Sequence, residues 1–299
     1  DQVFSGDYLA AYQSGTFAGF DVVAEAPVQP VAYWNLNETS GAVVADSAGD
    51  ADGVFFDWGE PDLDDPGPPA SQAPFGAGTA ADFHGSRHEY IAVSHREAFE
   101  LKQGTVQFWF NAESTHGDQV IFAKDGKGRG AGQISIGLDG ERIVVTLEDG
   151  AFGPDGPFGG IDSHTIRTGK IVDRHAWHHL AFTFGAGGMT LYLDGEAVGH
   201  DDFTGGLLGN EEALVIGGSN AWNYDGSVDL ADLKITDSFE GRVDEVAIFG
   251  EALAPEQVRA IAAGGPAEVA SGNAGAGYGG GLADYAISAS GAGLQIVDS

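Results

Sequence analysis

Cysteine is missing from all 299 residues, methionine occurs once, and Lys and Arg together number 13 against 45 Asp and Glu. Each scarcity excludes something. Without cysteine there are no disulfides, no thiolate nucleophile and no zinc–thiolate centre. No run of eighteen apolar residues occurs, so no segment is expected to cross a membrane as a helix. The formal charge of −32 repels a phosphate backbone and removes nucleic acid from the expected partners. The same acidity keeps a chain soluble, and it also suits hard divalent cations, which take carboxylate and carbonyl oxygens on loops. There is no G-x-S-x-G elbow. The glycine-rich DGKGRG at 125–130 lacks the Lys-Ser/Thr ending of a phosphate loop and is expected to be a hairpin turn. The chain starts at Asp1 with no basic and apolar leader, so it is expected to be processed or excised from something longer.

What is abundant is glycine, with 48 residues, set between short runs of Phe, Val, Ile, Tyr and Trp. That alternation of turn formers and β formers predicts a sandwich with many hairpins. The most telling stretch is WHHLAFTFGAGGMTLYLDG, from Trp177 to Gly195. It predicts strands at Leu180–Phe184 and Thr190–Leu193 around the turn Gly185-Ala186-Gly187-Gly188. It closes at Asp194-Gly195, a dipeptide that favours a type I′ turn. TVQFWF at 105–110 alternates Val106, Phe108 and Phe110 against Thr105, Gln107 and Trp109, which suits a strand with one face in the core. Trp34, Phe108, Phe110, Phe182, Phe184, Tyr192 and Ile248 are the expected core aromatics and aliphatics. Residues 57–79 hold five prolines, so no central strand passes there. Pro255 to Ile261 predicts a short helix with Pro in its first turn and Gly264 beyond its end.

Three blocks stand in order along the chain: WNLNETSGAVVADSAGDADG at 34–53, the Trp177–Gly195 hairpin, and GRVDEVAIFGEALAPEQVRAI at 241–261. Together they resemble the laminin-G-like bacterial members of the concanavalin A-like jelly-roll superfamily, over about residues 30–264. The resemblance implies an all-β, two-sheet antiparallel jelly roll. It makes His178 and His179 part of a fold signature, and it implies a non-catalytic, Ca²⁺-supported module of a secreted or cell-surface protein that binds glycans or glycoconjugates. Outside the jelly roll the expected parts are a β extension at 1–29, a Gly-rich linker at 265–281 and strands at 282–299 that open a following module. Left as lone strands, these ends suggest a rival, structural role, in which they pair with neighbouring modules or copies. A polysaccharide-active enzyme ranks third.

Carboxylates at Asp46, Asp50 and Asp52, with Gly53 offering a carbonyl, have the chemistry of a Ca²⁺ loop or of a solvated Asx turn. In related jelly rolls this loop lies beside the strand of the third block, which implies that Asp244 completes the site. A second acidic group, Asp225, Asp229, Asp232 and Asp237, is expected to be a solvated loop. Strict alternation points Asp244 and Glu245 to opposite faces, so they cannot flank one glycosidic bond, and Glu245 is expected to be structural. The same alternation separates His178 from His179. Trp222, with Asn220, Asn223 and Tyr224, offers the stacking face and hydrogen-bonding groups of a sugar platform, with Trp58 a second candidate. The alternative for each tryptophan is a loop anchor.

Overall fold

The structure is a computed structural model. It describes residues 28–57, 62–69, 78–126, 132–149, 162–169, 172–222 and 229–264, together with two strands nearer the C-terminus. In chain order the first strands are β1 (Pro30–Trp34), β2 (Val43–Val44), β3 (Gly53–Phe56), β4 (Asp65–Pro66), β5 (Thr79–Phe83) and β6 (Tyr90–Val93). The long central strands are β7 (Gly104–Ala112), β8 (Asp118–Lys124), β9 (Gln133–Asp139) and β10 (Arg142–Asp149). After β11 (Asp162–Arg167) comes the meander β12 (Trp177–Phe184), β13 (Met189–Leu193) and β14 (Glu196–Asp201). β15 (Leu214–Ile216), β16 (Gly241–Phe249) and the helix α1 (Pro255–Gly264) follow. The final pair is β17 (Tyr285–Ser290) and β18 (Gly293–Asp298).

Two eight-stranded sheets carry the fold. One has the order β14-β13-β12-β7-β16-β5-β4, with β1 also on β16; the other runs β11-β10-β9-β8-β15-β6-β3-β2. Every ladder is antiparallel, as the hairpin-rich sequence requires. The inner faces interdigitate through Trp34, Phe55, Phe83, Phe108, Phe110, Phe122, Phe182 and Phe184, all buried in one cluster. The alternation of β7 therefore places Val106, Phe108 and Phe110 in the core as expected. Trp109 lies on the opposite face, where it is buried with Ala80 and Trp177. The expected core residue Tyr192 is buried, but in a second cluster. There, Leu253, Val258 and Ile261 of the α1 segment cover Ala181, Ala247 and Phe249 on the outer side of the first sheet.

The turns follow the chemistry of their residues. Asp194 and Gly195 take φ of 53° and 79°, the two positive values of a type I′ turn. A Cβ on Gly195 would meet its nearest neighbours at 3.4 Å, so space is available and only the left-handed backbone opposes a side chain. Gly195→Ala is therefore expected to cost about 1–2 kcal/mol, read from chemical denaturation with an unchanged m-value. In the β9–β10 hairpin Asp139 pairs with Arg142, so Gly140 and Glu141 form the loop, with Gly140 at φ 62°. In the proline-rich stretch, β4 is a two-residue edge strand containing Pro66, the position in a sheet that proline tolerates.

β17 and β18 pair with each other. The strands expected at 282–299 thus form a hairpin, which satisfies the ladder on its inner edge. Residues 1–27 of the N-terminal extension expected at 1–29, and the linker at 265–281, lie outside the described residues.

Candidate functional site

Asp46 closes the loop that follows β2. Its Oδ1 accepts the backbone N–H groups of Tyr33 and Ala48, each at 2.9 Å, and its Oδ2 accepts that of Ala51 at 3.0 Å. Its own N–H donates to Asp52 Oδ1 at 2.9 Å. Asp46 and Asp52 are thus neighbours, as expected, but they staple the loop backbone. Asp50 extends outward and pairs with Arg96 at 2.8 Å, and Gly53 opens β3. Asp244 sits on β16 and is not drawn into this group. Among the described residues, the side chains that gather as three potential metal ligands are Asp62, Asp82 and His84. The set Asp46, Asp50, Asp52 and Asp244 therefore does not assemble as a carboxylate cage. Backbone N–H groups take three of the acceptor sites on Asp46, in the manner of the Asx turn.

The expected separation of Asp244 from Glu245 is also corrected. The register of β16 on β7 shifts between Asp244 and Ala247, a bulge in which Glu245 takes φ 55°. Asp244 stays opposite Trp109 on the outer face, and the extra residue keeps Glu245 there too, where Tyr33 Oη donates to its carboxylate. The two are 1% and 4% exposed. Burial is the largest influence on both. It pushes Asp244 up to about 9, helped by the charge of Glu245, and Glu245 up to about 7. Gln107 donates to the Glu245 carbonyl at 2.7 Å, and its Oε1 meets His179 Nε2 at 2.9 Å. His179 is fully buried, which lowers its imidazole to about 4. Asp194 of the type I′ turn accepts from the His179 backbone and reaches His178 Nδ1 at 3.1 Å. The two histidines thus hold the hairpin from opposite faces, in keeping with their place in a fold signature.

In the segment that follows β15 stands Trp222, 53% exposed. The loop beneath it is braced. Ser219 and Thr236 exchange both backbone hydrogen bonds at 2.9 and 3.0 Å. Asn220 is buried, with Oδ1 accepting the Asp125 N–H at 3.1 Å and Nδ2 donating to the Ala213 carbonyl at 2.9 Å. Asn220 thus anchors the platform and does not face a ligand with it. Asn223, Tyr224 and Trp58 lie outside the described residues, as does Asp225. Of the rest of the second acidic group, Asp229 accepts the Ala231 N–H at 3.1 Å and Asp237 accepts from Thr236 Oγ1 at 3.1 Å.

Sequence inspection missed a buried lysine close to this loop. Lys124, at the end of β8, donates to the Asn210 carbonyl and to Asn210 Oδ1 at 3.0 Å, and it approaches His95 Nδ1 at 3.4 Å. Burial lowers its ammonium to about 8. The carboxyl of the next residue, Asp125, is pushed up to about 6 by the same cause. An FAKDG end to an apolar strand carries no signal for this, because Asn210 arrives from 86 residues away.

The two antiparallel sheets and the helix-backed outer face define a jelly-roll sandwich. The chain belongs to the concanavalin A-like lectin/glucanase superfamily, whose Laminin_G_3 model matches residues 84–259. Among solved structures, one similar domain is domain 4 of AbnA, a GH43 extracellular arabinanase from Geobacillus stearothermophilus, in complex with arabinotriose. It is 19% identical with a TM-score of 0.53, over 79% of this chain and 99% of that one. The binding domain of botulinum neurotoxin serotype D is 14% identical with a TM-score of 0.50, over 80% of this chain and 51% of that one. These likenesses are of fold. No curated protein matches the chain.

Proposed function

We propose that the chain is a non-catalytic carbohydrate-binding module of a secreted or cell-surface protein, with Trp222 as its sugar-stacking face. The observation that carries this reading is the half-exposed indole on a loop whose base is locked by Asn220 and the Ser219–Thr236 bridge. A ring held in place stacks on the C–H face of a sugar without the entropy loss of ordering a mobile loop. Support comes from the fold, and from the arabinotriose bound to the similar AbnA domain, which points to an oligosaccharide as ligand class. The paired carboxylates Asp244 and Glu245 serve as internal polar groups in this reading, since both are buried and Glu245 is engaged by Tyr33.

The test is a glycan array with plant and animal oligosaccharides, followed by calorimetry on any ligand found. Trp222→Ala is expected to abolish binding while leaving the melting temperature unchanged, because the side chain is half outside. Loss of binding without loss of fold supports the platform. Full retention of affinity in Trp222→Ala overturns it. An array with no ligand, joined to concentration-dependent assembly of the whole chain, favours the structural role through terminal strands.

A further inference from the structure

The strand β5 and the loop before it build a second site that the carbohydrate reading does not use. Leu63, buried in the main core, pins the loop, and the Asp62 carbonyl accepts the Asp82 N–H at 2.9 Å. This brings the Asp62 carboxylate beside that of Asp82. His84 follows Asp82 by two residues and therefore comes off the same side of the strand. One ligand atom from each of the three lies within 4.8 Å of the others, and His84 Nε2 is 3.9 Å from Asp82 Oδ2. Ligands bound to one ion at about 2.0–2.2 Å sit about 3–4 Å apart, so a small inward movement closes this set.

We propose that Asp62, Asp82 and His84 bind a divalent first-row transition-metal ion of the zinc or manganese class.

Two further observations separate this group from an ordinary acidic patch. First, the imidazole is oriented from behind. Glu89, 1% exposed, accepts the His84 backbone N–H at 2.7 Å and meets Nδ1 at 3.0 Å through the same oxygen. A buried carboxylate on Nδ1 places the proton there and leaves the Nε2 lone pair facing the two aspartates. This is the carboxylate–imidazole arrangement that orients metal-ligating histidines. Second, Asp82 is 9% exposed, and among the described residues its carboxylate accepts no hydrogen bond. Its cross-strand partner Arg242 extends instead to Asp65 at 3.9 Å, Glu113 at 3.7 Å and the Pro66 carbonyl at 3.4 Å. With its side chain 12% exposed and no donor on its carboxylate among the described residues, Asp82 keeps its oxygens open to a cation or a proton. In keeping with that, burial, followed by the charge of Asp65, pushes Asp82 up to about 6, and Asp62 is raised by burial and by Asp65 and Asp64. The mixed set of two oxygens and one imidazole nitrogen favours zinc or manganese over calcium, which takes oxygen donors.

The experiment titrates the tag-free full chain with zinc chloride and, separately, with manganese chloride, read by calorimetry and by the manganese electron-spin signal. The expected result is one ion per chain and a raised melting temperature. Asp62→Asn and His84→Gln are each expected to weaken binding at least tenfold, and Glu89→Gln, acting on the ring from behind, by about 10–100-fold. Asp62→Asn changes a loop side chain and is expected to leave the circular dichroism intact, so its loss of binding reports the ligand alone. Binding that survives Asp62→Asn and His84→Gln belongs to other histidines and overturns the site. So does calcium binding as tight as zinc that is indifferent to His84→Gln, and so does an absence of saturable binding in the folded wild-type chain. Trp222→Ala leaves the metal titration unchanged, which keeps this outcome separate from that of the glycan array.

Discussion

Asparagine in place of Asp244 is expected to stabilise the protein by several kcal/mol at pH 8 and by almost nothing at pH 4. The unfolded carboxyl titrates at its ordinary 3.8, and the folded one at about 9. A carboxylate whose folded pKa is raised is most favourable to folding below the unfolded value, where both states are protonated. That contribution drains away as the pH climbs toward 9, at about 1.4 kcal/mol for each unit in which only the unfolded form is ionised. Asparagine removes the penalty while its Oδ1 still accepts the Glu245 N–H that Asp244 accepts now at 2.9 Å. Urea denaturation of both proteins at pH 8 and pH 4 checks the claim. Equal stability at pH 8 shows that Asp244 is ionised without cost and that its surroundings are wetter than the structure has them.

The wild-type chain follows the same sign. Glu245, Asp82 and Asp125 also carry raised values, of about 7, 6 and 6, so acidification from pH 9 toward pH 5 strengthens the fold at each of them. His179 works in the opposite sense. Buried and neutral, it titrates at about 4, below its ordinary 6.5, so the unfolded imidazole gains a proton first as the pH falls through that window. The four carboxyls outweigh the one imidazole, so the melting temperature is expected to go on rising as the pH falls from 9 toward about 5. The large negative net charge adds to that slope, since deprotonation increases self-repulsion.

The sheets were largely legible because their strands alternate strongly. Val106, Phe108 and Phe110 face one way, and Leu180, Phe182 and Phe184 answer from the next strand, with no competing period. Several strands were not legible, among them β11, DSHTIR, and β14, EAVGHD, both mostly polar. These two stand at sheet edges, where pairing is decided by the neighbouring strand and not by burial of their own side chains. The Asp244–Glu245 pair was misplaced for a related reason. A bulge adds one residue to the period of two, and nothing in VDEVAIF marks where it falls. The metal candidates were harder still. Asp82-Phe83-His84 shows the i, i+2 spacing of one strand face, but Asp62 joins from a loop through a backbone hydrogen bond that composition does not encode. The loop at 46–53 is the reverse case: its carboxylates are dense in sequence, and Asp46 and Asp52 are engaged in turning the chain while Asp50 pairs with Arg96.

That loop sets the second large expectation, which concerns Trp34. Its indole is fully buried in the main core, tilted against Phe99 at 6.3 Å between ring centres. Its Nε1–H donates to the Ala51 carbonyl at 2.8 Å, so one side chain both fills the core and fixes the far end of the loop. Trp34→Ala is expected to cost about 3–5 kcal/mol for the cavity, with a further loss of about 1–3 kcal/mol from the orphaned Ala51 carbonyl. Trp34→Phe retains most of the volume and loses the donor, so it isolates the second part. Asp46→Ala removes the acceptor of three backbone N–H groups and is expected to cost about 1–3 kcal/mol, by the same amount in calcium and in excess chelator. Thermal melts of the three variants, with and without calcium, separate a staple from a cage. If the wild type loses several degrees in chelator and Asp46→Ala loses none, the loop is a metal site whose ion draws Asp46 off its backbone partners, and Asp46 is no staple.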